Sequence, residues 1–164
     1  MRYLIVKTSA FGDVVHAFQV LQYLHTHDKE AIVDWVVEKR IASLVAANPQ
    51  VSNVLEIDMK KWKKSLLSKE SWIEFSLFLK KLRNTSYDAV FDLQGNMKSA
   101  IITKAARSKV KVGFGYKTAP EFLSAAVLTQ RYNPPKGQNI RDDYLFLVES
   151  YFKTSHRATP YVEL

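Results

Sequence analysis

Cysteine is absent from the 164 residues, which excludes disulfides and points to a reducing compartment. No apolar run approaches the ~18–20 residues that span a bilayer. The start Met1-Arg2-Tyr3-Leu4-Ile5-Val6-Lys7 turns polar too soon for a signal peptide. These absences place the chain in the cytoplasm. Gly-x-Gly-x-x-Gly is missing, which argues against a nicotinamide or flavin cofactor. Gly113-Phe114-Gly115-Tyr116-Lys117-Thr118 lacks the Gly-Lys adjacency of a phosphate loop and is rejected as one. The four histidines, His16, His25, His27 and His156, have no metal-ligand spacing, and His25 and His27 point apart on a helix as surface residues. Neither a cofactor nor a metal is expected.

What is present is a chain of one domain's length with a formal charge of +8. That excess calls for an anionic partner: nucleic acid, a membrane surface, or a phosphorylated or carboxylated substrate. A solvated basic surface is the bland alternative. Apolar runs alternate with helical periodicity. Strands are expected at Tyr3–Val6, Ile32–Val37, Val51–Ile57, Ala89–Leu93 and Val110–Phe114. Helices are expected from Val14 to about His27, and over Ile41–Ala47, Trp72–Leu82, Met97–Ala106 and Asp142–Phe152. Tyr116–Pro135 has no clear period, and Thr154–Leu164 reads as a polar tail. Such alternation predicts a single Rossmann-like, doubly wound α/β domain with a mainly parallel sheet. Ligands then bind beyond the carboxyl ends of the strands.

Three post-strand loops carry polar chemistry. Thr8–Asp13 follows the first strand; Gly12 there permits a close or left-handed turn, and Asp13 falls at the N-cap or first turn of a helix. The helix dipole favours a carboxylate at that place by about 0.3–1 kcal/mol. Spacing alone favours Asp13 as a cap over Asp13 as a catalytic base, and favours His16 as a core histidine over one that orients Asp13. Lys60-Lys61-Trp62-Lys63-Lys64, after the third strand, is a compact cationic block around an aromatic that suits phosphates or carboxylates and a sugar or lipid edge. A solvated basic face fits it equally well. Asp92-Leu93-Gln94-Gly95-Asn96-Met97-Lys98-Ser99 adds a carboxylate, an amide and a cation after the fourth strand.

Val6–His16 resembles the opening of the lipopolysaccharide heptosyltransferases, the heptosyltransferase I branch in particular. Further blocks match in order: Asp34–Glu38, Lys60–Lys64, Tyr87–Gly95 with Lys98-Ser99-Ala100, and Gly113-Phe114 with Lys117, Ala119 and Glu121. The resemblance runs to about Phe152. It implies an inverting GT-B glycosyltransferase with two Rossmann-like domains and no catalytic metal. The donor it implies is ADP-L-glycero-D-manno-heptose, and the acceptor is the Kdo of Kdo2-lipid A. The implied base is Asp13, and the implied acceptor site comprises Ser9, Gly12, His16, Lys60, Lys61, Lys63, Lys64, Gln94 and Lys98.

On that resemblance residues 1–153 form the acceptor domain and 154–164 begin an interdomain linker. The donor-binding domain lies outside the chain, so the chain alone is expected to be inactive. An anionic, membrane-embedded acceptor gives the +8 charge a role: peripheral docking on the cytoplasmic face of the inner membrane. Pro120 stands where related sequences often carry arginine, Gln19 where proline is common, and Asn139 near a frequent histidine. The rival readings are a basic nucleic-acid-binding module, which lacks any recognised motif here, and a standalone anionic sugar- or lipid-binding module.

Overall fold

Four of the five residues of β1 (Arg2–Val6) are fully buried, so this strand takes the centre of the sheet, covered on both faces. The computed structural model describes residues 1–157. From β1 the chain runs through α1 (Phe11–His27), β2 (Ile32–Glu38), a 3₁₀ turn at Lys39–Ile41, α2 (Ala42–Ala46), β3 (Asn53–Ile57), α3 (Met59–Lys64) and α4 (Lys69–Arg83). It continues through β4 (Ala89–Asp92), α5 (Met97–Ala105), β5 (Lys111–Phe114), a 3₁₀ segment at Phe122–Val127, β6 (Gln130–Tyr132) and α6 (Ile140–Arg157).

All neighbouring strands are parallel, in the order β3-β2-β1-β4-β5-β6. This is the doubly wound arrangement expected from the alternation. Side chains alternate across the sheet. Tyr3 and Ile5 enter one core with Val14, Leu21 and Leu24 of α1 and Tyr144, Leu147 and Tyr151 of α6. Leu4 and Val6 enter the other with Trp62 of α3, Phe78 and Leu82 of α4, and Ile102 of α5. Near the amino ends of the strands a buried Asp34 accepts from Arg2 Nη2 (2.9 Å), Asn53 Nδ2 (2.8 Å) and the Tyr87 hydroxyl (3.0 Å), tying β1, β2, β3 and the start of β4 together.

Several boundaries differ from expectation. β6 falls in the stretch without a clear period; with three residues it is too short to show one. α1 begins at Phe11, so Gly12 and Asp13 are helical rather than in the preceding turn. Gly12 has no positive φ, and nothing lies within 4 Å of where its β-carbon would stand, so no left-handed turn explains it. α6 continues through Thr154–Arg157, past the expected helix end at Phe152; the rest of the polar tail, 158–164, lies outside the described residues. Among the described residues no helix is long and apolar enough to cross a membrane.

Candidate active site

β1 has β2 on one side and β4 on the other, so this pair marks the sheet's topological switch point, where folds of this kind bind ligands in a crevice outside the carboxyl ends of the strands. One side chain ties the loops after β1 and β4 together. Gln94 Oε1 accepts from Lys7 Nζ (3.1 Å), Thr8 N (3.1 Å), Thr8 Oγ1 (3.2 Å) and Ser9 N (3.3 Å). The β4 loop is braced in turn by Asp92, whose carboxylate accepts from the Gln94 and Gly95 amides and from the Ser99 and Thr103 hydroxyls. Gly95 turns the chain at φ +70°, a conformation that favours glycine. Asn96 and Ser99 then close a reciprocal cap on α5.

Asp92 is fully buried and occupied by these bonds. Burial pushes its carboxyl up, and the four donors offset part of that push. It is a structural carboxylate, not a group offered to substrate. Lys7 is 3% exposed, and burial lowers its ammonium to about 8, with Asp13 and Asp92 pulling the other way. Its Nζ lies 3.9 Å from Asp13 Oδ2 and 5.3 Å from the centre of the Tyr144 ring. The Lys7 carbonyl accepts from Trp35 Nε1 (2.9 Å), which fixes the strand end from below.

Asp13 is the third residue of α1, and its side chain is 46% exposed. The cap of α1 is Ala10, with no side-chain cap bond, so capping does not explain Asp13. His16, one turn further on, is exposed, which overturns the reading of a packed core histidine. The first two turns of α1 therefore present Gly12, Asp13 and His16 outward, with the buried Lys7 cation behind the carboxylate.

The basic segment forms α3, capped by Asp58, which accepts from Lys61 N at 3.0 Å. Its four lysines do not act as one cluster. Lys61 turns to Glu74 (2.6 Å) on α4. Lys60 lines a depression with Glu38, Lys39, Arg40 and Asp58 beyond the ends of β2 and β3. Lys63 faces α5, where it and Lys98 line one apolar cavity. Trp62 is almost wholly buried, packs edge-on against Phe75 and donates Nε1 to Glu74 (3.1 Å), so it is core rather than an open sugar platform. Glu38, half-buried at the end of β2, has its carboxyl pushed up by burial; the Met59 amide and the charges of Arg40 and Lys98 offset part of this.

Sequence reasoning passed over Lys7, Glu38 and Tyr144. The available signal for Lys7 was a charge directly after four residues buried on both faces. The partner that explains its burial, Gln94, is 87 residues away. Pro120 sits over Gly95: a β-carbon there would lie 2.8 Å from Pro120 Cδ.

The sequence pattern of glycosyltransferase family 9 (heptosyltransferase) matches residues 75–164, more than half of the chain. Lipopolysaccharide heptosyltransferase 1 of Escherichia coli strain K12 is 34% identical over 143 residues, covering 85% of this chain and 44% of that protein. The Pseudomonas aeruginosa protein of the same name is 32% identical over 139 residues, with 85% and 39% covered. The solved structure of E. coli heptosyltransferase WaaC with ADP-2-deoxy-2-fluoro heptose superposes with a TM-score of 0.87 at 32% identity, covering 92% of this chain and 48% of that one. The chain thus spans less than half the length of these relatives.

Proposed function

The chain belongs to glycosyltransferase family 9, the heptosyltransferases, and from that premise we propose that it is the acceptor-side half of an inverting enzyme. That enzyme would transfer heptose from ADP-L-glycero-D-manno-heptose to the Kdo of Kdo2-lipid A. The observation that carries this reading is the exposed Asp13 carboxylate at the switch point between β1 and β4, with the Lys7 ammonium 3.9 Å behind it. A base needs an accessible carboxylate beside the place where substrate binds, and the switch point is where sheets of this kind take their ligands.

In this mechanism the acceptor hydroxyl hydrogen-bonds to Asp13 and attacks the anomeric carbon of the donor from the face opposite ADP. The new carbon–oxygen bond forms as the bond to the diphosphate breaks, so ADP leaves with the bonding electrons and the anomeric centre inverts. The hydroxyl proton passes to Asp13. Ser9, Gly12 and His16, on the same rim, contact the acceptor, as does Lys98. Gln94 holds the two loops at the spacing this requires. In this reading residues 1–153 form the acceptor domain, and a second Rossmann-like domain holds the donor. The relative solved with a fluorinated ADP-heptose supports a nucleotide-sugar donor.

Lys60, Lys63 and Lys64 give the acceptor's anionic groups their counter-charges. Exposed Leu67 and Lys69, with the formal charge of +8, support peripheral docking on the inner-leaflet surface. The test is calorimetric titration of the chain with the Kdo disaccharide acceptor headgroup and with ADP-heptose. Changing Lys60, Lys63 and Lys64 to Ser is expected to weaken headgroup binding about tenfold at low salt. Lys61→Ser, whose ammonium is already held by Glu74, changes it least. Equal loss from all four lysines, or tighter binding to random DNA oligonucleotides than to the headgroup, contradicts the reading.

A further inference from the structure

Between α3, α4 and α5 lies a pit of about 390 Å³ whose place in the reaction outlined above is unassigned. Its deeper wall is Trp62, Phe75 and Ile102, and its lip is Leu66, Trp72 and Ile101, which are 62%, 55% and 54% exposed. Apart from Ser71, the polar lining residues are Lys63 and Lys98, and neither is in an ion pair among the described residues. A well-packed interior leaves no such hole, and three large apolar side chains around one mouth mark a binding surface.

We propose that this pit receives one acyl chain of the anionic lipid acceptor, with a headgroup anion on Lys63 and Lys98. The proposal rests on reading the acceptor as an anionic lipid. Charge complementarity at the mouth and an apolar interior fit an amphiphile with one anionic end. A sugar or nucleotide would lose its hydration in the pit with almost nothing to replace it. The location adds a second argument. Lys98 lies in the first turn of α5, directly after the loop that carries Gln94, and its charge also reaches Glu38 at the end of β2. Lys98 therefore joins the mouth of the pit to the loops at the carboxyl ends of β2 and β4, the side on which the acceptor headgroup is read to bind.

The experiment uses the chain itself and a series of alkyl phosphates from butyl to dodecyl, each below its micelle concentration. Binding is followed by the fluorescence of Trp62 and Trp72 in the wall. Affinity should rise about fourfold per added methylene until the pit is filled, then level off. Leu66→Glu and Ile101→Glu alter exposed side chains; they should remove the chain-length dependence while leaving the melting temperature near that of the parent. Changing Lys63 and Lys98 together to Ala should weaken every member of the series by a similar factor. No chain-length dependence, or an undiminished one in Ile101→Glu, overturns the proposal. Partition into anionic vesicles without binding of monomeric alkyl phosphate also overturns it, making the patch a bilayer-insertion surface. The acyl-free Kdo disaccharide separates the two readings. If it binds while the series is flat, the pit proposal falls and the acceptor reading stands. If the series is steep while the disaccharide fails to bind, the pit takes an anionic amphiphile but the Kdo headgroup is not what it carries, and the acceptor reading falls with the assignment of the chain to that acceptor.

Discussion

A lysine 3% exposed at the end of a central strand loses hydration that its neighbours only partly replace, and Lys7 accordingly titrates near 8. The sign of the consequence follows from proton counting. Between about pH 8 and the ordinary lysine range the unfolded chain keeps a proton that the fold has released, so stability rises with pH across that window. Urea denaturation from pH 7.5 to 10.5 should show this rise, and Lys7→Met should lack it. A parent whose profile matches Lys7→Met would contradict a depressed lysine. Gln94 is the second residue with a measurable consequence. Its carbonyl oxygen satisfies four donors, two of them backbone amides. Gln94→Leu should cost about 2–3 kcal/mol, read from the same denaturation curves. Asp13 was visible in the sequence because it follows a strand and opens a helix. That Ala10 rather than Asp13 takes the cap position was not.

At the scale of elements, segments with a plain apolar pattern gave themselves away, short β4, β5 and α2 included, and those inside the Gly, Pro and Lys signals after residue 115 did not. β1, α1 and β2 stand within a few residues of their expected places because burial on both faces, or on one stripe, leaves a plain pattern. β6 has three residues among Gly, Pro and Lys signals, and only its pairing with β5 makes it a strand. The basic segment shows a different gap. Composition grouped four lysines, whereas helix geometry turns Lys61 to Glu74 and Lys63 towards α5. The turn into α5 supplies a prediction. Gly95 combines φ +70° with a β-carbon position 2.8 Å from Pro120 Cδ, so Gly95→Ala should destabilise the fold by about 1–3 kcal/mol in thermal or urea unfolding. Changing Pro120 to Ala in that background should recover only part of the loss, since the strained φ remains. Full recovery would show that contact with the proline, rather than backbone conformation, dominates.

Across the whole molecule, the parallel sheet was legible from strand–helix alternation, and the basic charge of +8 from composition. How the charge is divided was not legible. One lysine is buried at the end of β1, others flank an apolar pit, and Lys60 stands beside Glu38 and Arg40. The central claim is that Asp13 takes the acceptor's proton. It is tested most directly by Asp13→Asn in a version that carries both the acceptor and donor halves, comparing single-turnover transfer and substrate affinities with the parent. The account predicts a transfer rate lower by about 10²–10⁴-fold, with donor and acceptor affinities nearly unchanged. A rate close to the parent's, with both substrates bound normally, would contradict it.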